Sequence, residues 1–155
     1  TDSRIDVPAR DGDRPVLSDL VLCTSFADFE EGMSTPREFV RYARVTVPAP
    51  ERVFPRAQDS VFVYYEAYDL GVESDGRTRT TVEYRVTPFG RGLEPVISEF
   101  VDERTGRSAE GVVVKGTRID LQSLEPGAYV LTVSVSDRVL DARLERSVEF
   151  VVGAE

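Results

Sequence analysis

Alternation with a period of two runs through most of this chain. From Tyr129 every second residue is apolar (Tyr129, Leu131, Val133, Val135), and Val130, Thr132, Ser134 and Ser136 lie between them. Such a period predicts a strand with one buried face and one that tolerates water. Just before it stands Leu124-Glu125-Pro126-Gly127. Pro126 presets φ for a turn and Gly127 accepts positive φ, so the chain reverses there. A tyrosine two residues past that turn fits a tyrosine corner, with its ring in the core and its hydroxyl returning to the loop backbone.

The same reading gives the other elements. Val16–Leu22 is the first strand, interrupted by Ser18 and Asp19. Thr24–Arg37 is least legible: Ala27–Glu31 suits a short helical turn, while Gly32, Ser34 and Pro36 favour a loop. Phe39–Val47 reads as a strand ended by Pro48-Ala49-Pro50, a pattern suited to an edge. Val61–Leu70 is rich in β-branched and aromatic residues and reads as a central strand. Asp75-Gly76 marks a turn, and Thr80–Thr87 is placed beside the central strand as its neighbour. Val96–Asp102 is a short strand and Glu103–Gly111 a polar loop. Gly111–Leu121 carries one or two strands. Arg143–Val152 closes the domain with Val148, Phe150 and Val152 on one face.

Seven to nine short strands without a long amphipathic helix predict an all-β fold. The corner tyrosine after a strong central strand favours an antiparallel sandwich of the immunoglobulin-like or fibronectin-III-like kind. Residues 1–15 read as an extended arm or linker, and 16–155 as one sandwich domain. A chain of 155 residues can bury a core of that kind. Its start at Thr1 suggests a processed protein or an excised domain.

Charge and composition narrow the function. The net charge is −9, which disfavours nucleic acid and anionic lipid surfaces as partners. No apolar run is long enough to insert in a membrane. There is no histidine, so histidine triads and histidine-ligated zinc are excluded. No cofactor is expected. Cys23 is the only cysteine, lies in an apolar run and reads as a buried thiol. Lys115 is the single lysine among 19 basic residues.

Several segments together resemble the β-sandwich region that follows the GWxTD domain in bacterial exported proteins of unknown function. They are Leu17-Ser18-Asp19-Leu20, the double-proline run Val47-Pro48-Ala49-Pro50 followed by Arg52 and Phe54, Val63–Leu70, Ile119-Asp120-Leu121, and Leu124–Tyr129 with Asp137 beyond. The resemblance spans Val16 to Val152. Ala49 stands where the family tends to carry asparagine, and the GWxTD segment itself is not in this chain. The resemblance implies an extracellular or periplasmic setting. Its expected partners are other domains of a parent chain or an envelope protein, and it brings no catalytic residues.

One candidate binding site emerges from alternation. Val61, Val63, Tyr65 and Ala67 share a face, as do Val82, Tyr84 and Val86. With those faces in the core, Tyr64, Glu66, Tyr68 and Arg85 share the other, Arg85 pairing with Glu66 across the sheet. Aromatics beside a carboxylate and an arginine suit a protein partner or a sugar ring. The leading expectation is a non-catalytic interaction or structural module, and the alternative is an accessory carbohydrate-binding domain using that tyrosine face. The strip is expected to be covered, by Thr24–Arg37 or by another domain. No metal site is expected: Asp11-Gly12-Asp13 lacks the further ligands of a calcium loop, and Asp137 with Asp141 offers too few. The pairs Glu30-Glu31 and Asp102-Glu103 point to opposite faces and do not converge for hydrolysis, and Glu73 with Asp75 reads as a solvated charge run.

Overall fold

A computed structural model describes residues 14–28, 30, 40–42, 44–90 and 92–154. The predicted arm, residues 1–15, and the Asp11-Gly12-Asp13 turn thus lie almost wholly outside the described residues, as does most of Thr24–Arg37. Among the described residues the fold is all-β, with eleven strands in two sheets. Three of the strands, β1 (Val16–Leu17), β3 (Val40–Arg41) and β5 (Val53–Phe54), have only two residues each.

The first sheet is built on β6 (Ser60–Tyr68). On one side it pairs along its whole length with β9 (Val112–Asp120). On the other side it meets β1 near Tyr68 and β2 (Val21–Asp28) near Tyr64. β4 (Arg44–Pro48) and then β3 extend the sheet beyond β2. The second sheet runs β5–β11–β10–β7–β8, with β7 Arg77–Pro88, β8 Ile97–Gly106, β10 Gly127–Asp137 and β11 Ala142–Val152.

Both sheets turn their apolar alternates inward. Val61, Val63, Tyr65 and Ala67 of β6 meet Val82, Tyr84 and Val86 of β7 and Leu131, Val133 and Val135 of β10 in one core. Leu124, Val148, Phe150 and Val152 close its end. Tyr129 forms the expected corner: its ring is buried against Phe150, with centroids 5.6 Å apart, and its hydroxyl donates to the Glu125 carbonyl at 2.7 Å. Tyr129→Phe keeps the ring and loses that bond. The expected cost is about 1 kcal/mol in a urea unfolding curve; an unchanged midpoint would show that the corner does not depend on it.

Several boundaries differ from the sequence reading. Ser18 and Asp19 divide the first predicted strand into β1 and β2, because Ser18 turns to bond β6: its N donates to the Glu66 carbonyl and its Oγ accepts from the Glu66 N–H, both at 2.9 Å. β2 continues as strand through Asp28, so no helical turn begins at Ala27. The first four residues of the predicted loop Glu103–Gly111 are strand, since β8 extends to Gly106, and the rest is loop. The predicted neighbour of β6 is displaced further. β7 pairs with β10 and β8 in the second sheet, because the segment after Tyr68 crosses from one sheet to the other.

Candidate interaction surface

The predicted site Tyr64, Glu66, Tyr68 and Arg85 is only partly brought together. Tyr64, Glu66 and Tyr68 do share the outer face of the first sheet. The hydroxyls of Tyr64 and Tyr68 donate to the two oxygens of the Glu66 carboxylate. This face is not open: Tyr64 is 1% exposed, Tyr68 4% and Glu66 0%. Part of the cover is Phe26, from the segment expected to supply it; its ring lies 6.1 Å from that of Tyr64. A Cβ on Gly116 would stand 2.3 Å from the Phe26 ring, so glycine in β9 is what lets the ring lie flat there. Arg44 stacks over the Phe26 ring, 5.6 Å from its centroid, and pairs with Asp28.

Arg85 is elsewhere. It sits on the outer face of the second sheet, where it pairs with Glu145 at 3.3 Å and Glu83 at 3.5 Å. Arg143 bridges the same two carboxylates. The predicted Arg85–Glu66 pair is therefore wrong, since the two side chains lie on opposite outer surfaces of the sandwich. Arg85→Ala is expected to change stability by less than about 0.5 kcal/mol. Its effect should add to that of a Glu66 substitution with no coupling, as a double-mutant cycle would show.

Glu31 of the Glu30-Glu31 pair lies outside the described residues, and the other acidic clusters are engaged structurally. Asp137 is buried and accepts from the backbone N–H groups of Gly71 at 2.7 Å, Val139 at 2.8 Å and Leu140 at 3.1 Å. It fixes the β10–β11 turn to the β6–β7 crossing, and its oxygens face N–H donors, unlike those of a calcium site. Glu73 and Asp75 both accept from Arg104. Asp102 accepts from Thr81. Among the described residues, no three His, Cys, Asp or Glu side chains cluster as a metal would need.

The core contains a polar seam that the sequence reading missed. The hydroxyls of Tyr65 and Tyr84 meet at 2.9 Å between the sheets. Lys115 of β9 and Glu103 of β8 close the seam toward solvent, Nζ to Oε2 at 2.5 Å. Their contact is an ion pair and not an aligned hydrogen bond; the ammonium donates instead to Thr105 Oγ1 at 2.8 Å. Burial pushes the Tyr65 hydroxyl well above its ordinary value, helped by Tyr84 and by the Glu103 charge. Burial also lifts Tyr84 to about 12, with Glu103 and Glu99 adding to it and the Tyr65 hydrogen bond opposing it. Burial alone raises the Cys23 thiol to about 12, which leaves it inert at neutral pH.

The open surface is on β8. Among the described residues this strand has a neighbour on one side only, β7. The N–H and C=O groups of alternate residues along its free edge thus have no ladder partner. Phe100 projects from the outer face at 69% exposure, opposite Glu83 of β7. Val101 turns inward yet stays exposed, because the sandwich is open at this edge. The connection from β7 adds Phe89, Leu93 and Val96, also exposed. Phe89 lines a shallow hollow with Ala128, Val151 and Arg52. Among the described residues, half of the exposed large apolar side chains thus lie between Phe89 and Val101. A second hollow, lined by Arg79, Arg104, Arg138 and Asp102, is no ready anion site, because Arg104 is paired with two carboxylates and Arg138 donates to Thr81.

No family model matches this chain, and no curated protein matches it. Among solved structures it is similar to the soluble domain of PmoD from a Methylocystis species, at 11% identity and a TM-score of 0.36, over 66% of this chain and 78% of that one. No helix among the described residues is long and apolar enough to cross a membrane.

Proposed function

We propose that this chain is a non-catalytic interaction module that docks a protein partner along the free edge of β8. The observation that carries this reading is a ten-residue edge strand with exposed Phe100 and Val101, continued by the exposed Phe89, Leu93 and Val96. Such an edge offers a template for strand addition where its backbone and apolar side chains stay open, and the charges of Glu99, Asp102, Glu103 and Arg104 restrict which strand can add to it. The resemblance to the region after GWxTD domains supports an immunoglobulin-like module within a larger exported protein. The compartment it favours is extracellular or periplasmic, with other domains of a parent chain or an envelope protein as partners. The non-catalytic reading rests on the missing histidine and on carboxylates already committed to arginine, lysine and backbone donors. The carbohydrate alternative loses its motive, since the rings of Tyr64 and Tyr68 are buried and offer no face to a sugar.

A photo-crosslinking side chain at Ser98, on the outer face of β8, tests the reading in the full-length protein. The expected result is a discrete protein adduct that disappears when Phe100→Arg is added and is absent with the probe at Thr132, on the middle strand of the same sheet. Equal labelling at both positions, or an adduct indifferent to Phe100→Arg, would overturn it.

A further inference from the structure

We propose that the partner on β8 is a second copy of this chain, the two β8 strands pairing antiparallel about a twofold axis between their Phe100 residues. This rests on the reading of β8 as the docking edge. A strand that pairs with itself must match its own charges, and that requirement selects one register. In a continuous sheet, outward residues lie opposite outward ones, so the inward set Ile97, Glu99, Val101, Glu103 and the outward set Ser98, Phe100, Asp102, Arg104 each pair within themselves.

With Phe100 opposite Phe100, Ser98 faces Asp102, Glu99 faces Val101 and Ile97 faces Glu103. No like charges meet, and two aromatic side chains stack across the axis. A shift of the register by one pleat in one direction sets Glu99 opposite Glu103. The same shift in the other direction sets Glu99 opposite itself. Longer shifts toward the strand's end bring Asp102, then Glu103, then Arg104 opposite its own copy. Inward-pointing charges ordinarily protect an edge from pairing. Here they forbid every other substantial overlap and leave the one centred on Phe100. The pairing would make one sheet continuous through both copies and cover the exposed Phe100 and Val101 of each.

The net charge of −9 opposes association at long range. Dimerisation should therefore strengthen as salt screens the two copies. Sedimentation of the full chain is expected to show a monomer–dimer equilibrium that shifts toward dimer with added salt. Phe100→Lys, which places two cations opposite each other, should weaken it about tenfold or more. In a Cys23→Ala background, Phe100→Cys should link into a disulfide dimer under mild oxidation, because residue 100 faces its own copy. Asp102→Cys should not, because it faces Ser98. Phe100 and Asp102 are exposed, so their replacement leaves the core intact, and circular dichroism verifies that the Cys23→Ala background stays folded. A chain that stays monomeric to about 1 mM, or an Asp102→Cys that links as readily as Phe100→Cys, would overturn the proposal. The mass of the Ser98 photo-adduct separates the two readings. An adduct of twice the chain mass supports the second copy. An adduct to a different chain, from a protein that sediments as a monomer, ends this inference and leaves the docking edge standing.

Discussion

Glu66→Ala is expected to lower unfolding stability by about 4 kcal/mol, near the top of what single substitutions cost. The carboxylate has no exposure and accepts from both Tyr64 and Tyr68. Removing it takes from two buried hydroxyls the acceptor they share and opens a cavity between them. Losing a buried hydrogen bond to a charged acceptor costs about 1.5–3 kcal/mol, and two of them lost together with the cavity give the sum. Glu66→Gln keeps the shape and one acceptor, so it should cost about half as much. Tyr64→Phe and Tyr68→Phe each remove one donor and leave the carboxylate the other tyrosine, for about 1–2 kcal/mol apiece. Denaturant curves on the four variants give the ranking. Near-equal losses for Glu66→Ala and Tyr64→Phe would show that Glu66 is not the centre of this cluster.

That cluster also marks how far the sequence could be read. Alternation correctly placed Tyr64, Glu66 and Tyr68 on the face opposite Val61, Val63 and Tyr65, because the period-two rule depends on the backbone alone. It could not say that the face would be closed. Covering depends on Phe26 reaching over Gly116, a contact between β2 and β9 from ends of the domain far apart in sequence. A glycine with an aromatic cover leaves almost no local signature. The tyrosine corner was legible because proline, glycine and tyrosine fall within four residues and act locally.

Strand pairing was where the reading failed. Placing β7 beside β6 followed the tendency of consecutive strands to pair. Nothing in the crossing from Asp69 to Gly76 shows whether the chain returns to its own sheet or crosses to the other, since both require a reversal. Arg85 was misplaced for that reason alone, although its own face was assigned correctly. β8 was shortened for a different reason. Its inward set includes Glu99 and Glu103, so the hydrophobic alternation breaks at the point where an edge strand tolerates charge. The end of β8 after Asp102 therefore reads as a loop, while the exposed Phe100 and Val101 fall within the predicted strand Val96–Asp102.

Alkaline pH should unfold this protein through the seam between its sheets. Tyr65 and Tyr84 are buried, bonded to each other at 2.9 Å, and face the carboxylates of Glu103 and Glu99 as well as the ammonium of Lys115. Both hydroxyls titrate above their ordinary value of about 10 in the folded state, and the unfolded chain restores that value. A folded-state value raised in this way favours the protonated, folded form. The stabilisation is complete below about pH 10 and is lost as pH climbs through about 12, because unfolding then releases a proton. For Tyr84 alone the span amounts to about 3 kcal/mol, and Tyr65 adds to it in the same direction. The unfolding free energy from urea curves should hold steady to about pH 9 and then fall with a slope of up to about 1.4 kcal/mol per pH unit for each tyrosine, and the midpoint with it. The double variant Tyr65→Phe, Tyr84→Phe removes both protons while keeping both rings. Its midpoint should decline much less over the same range, whatever other groups titrate there, because those are common to both proteins. Parallel decline of the parent and the double variant would place the alkaline sensitivity outside this pair.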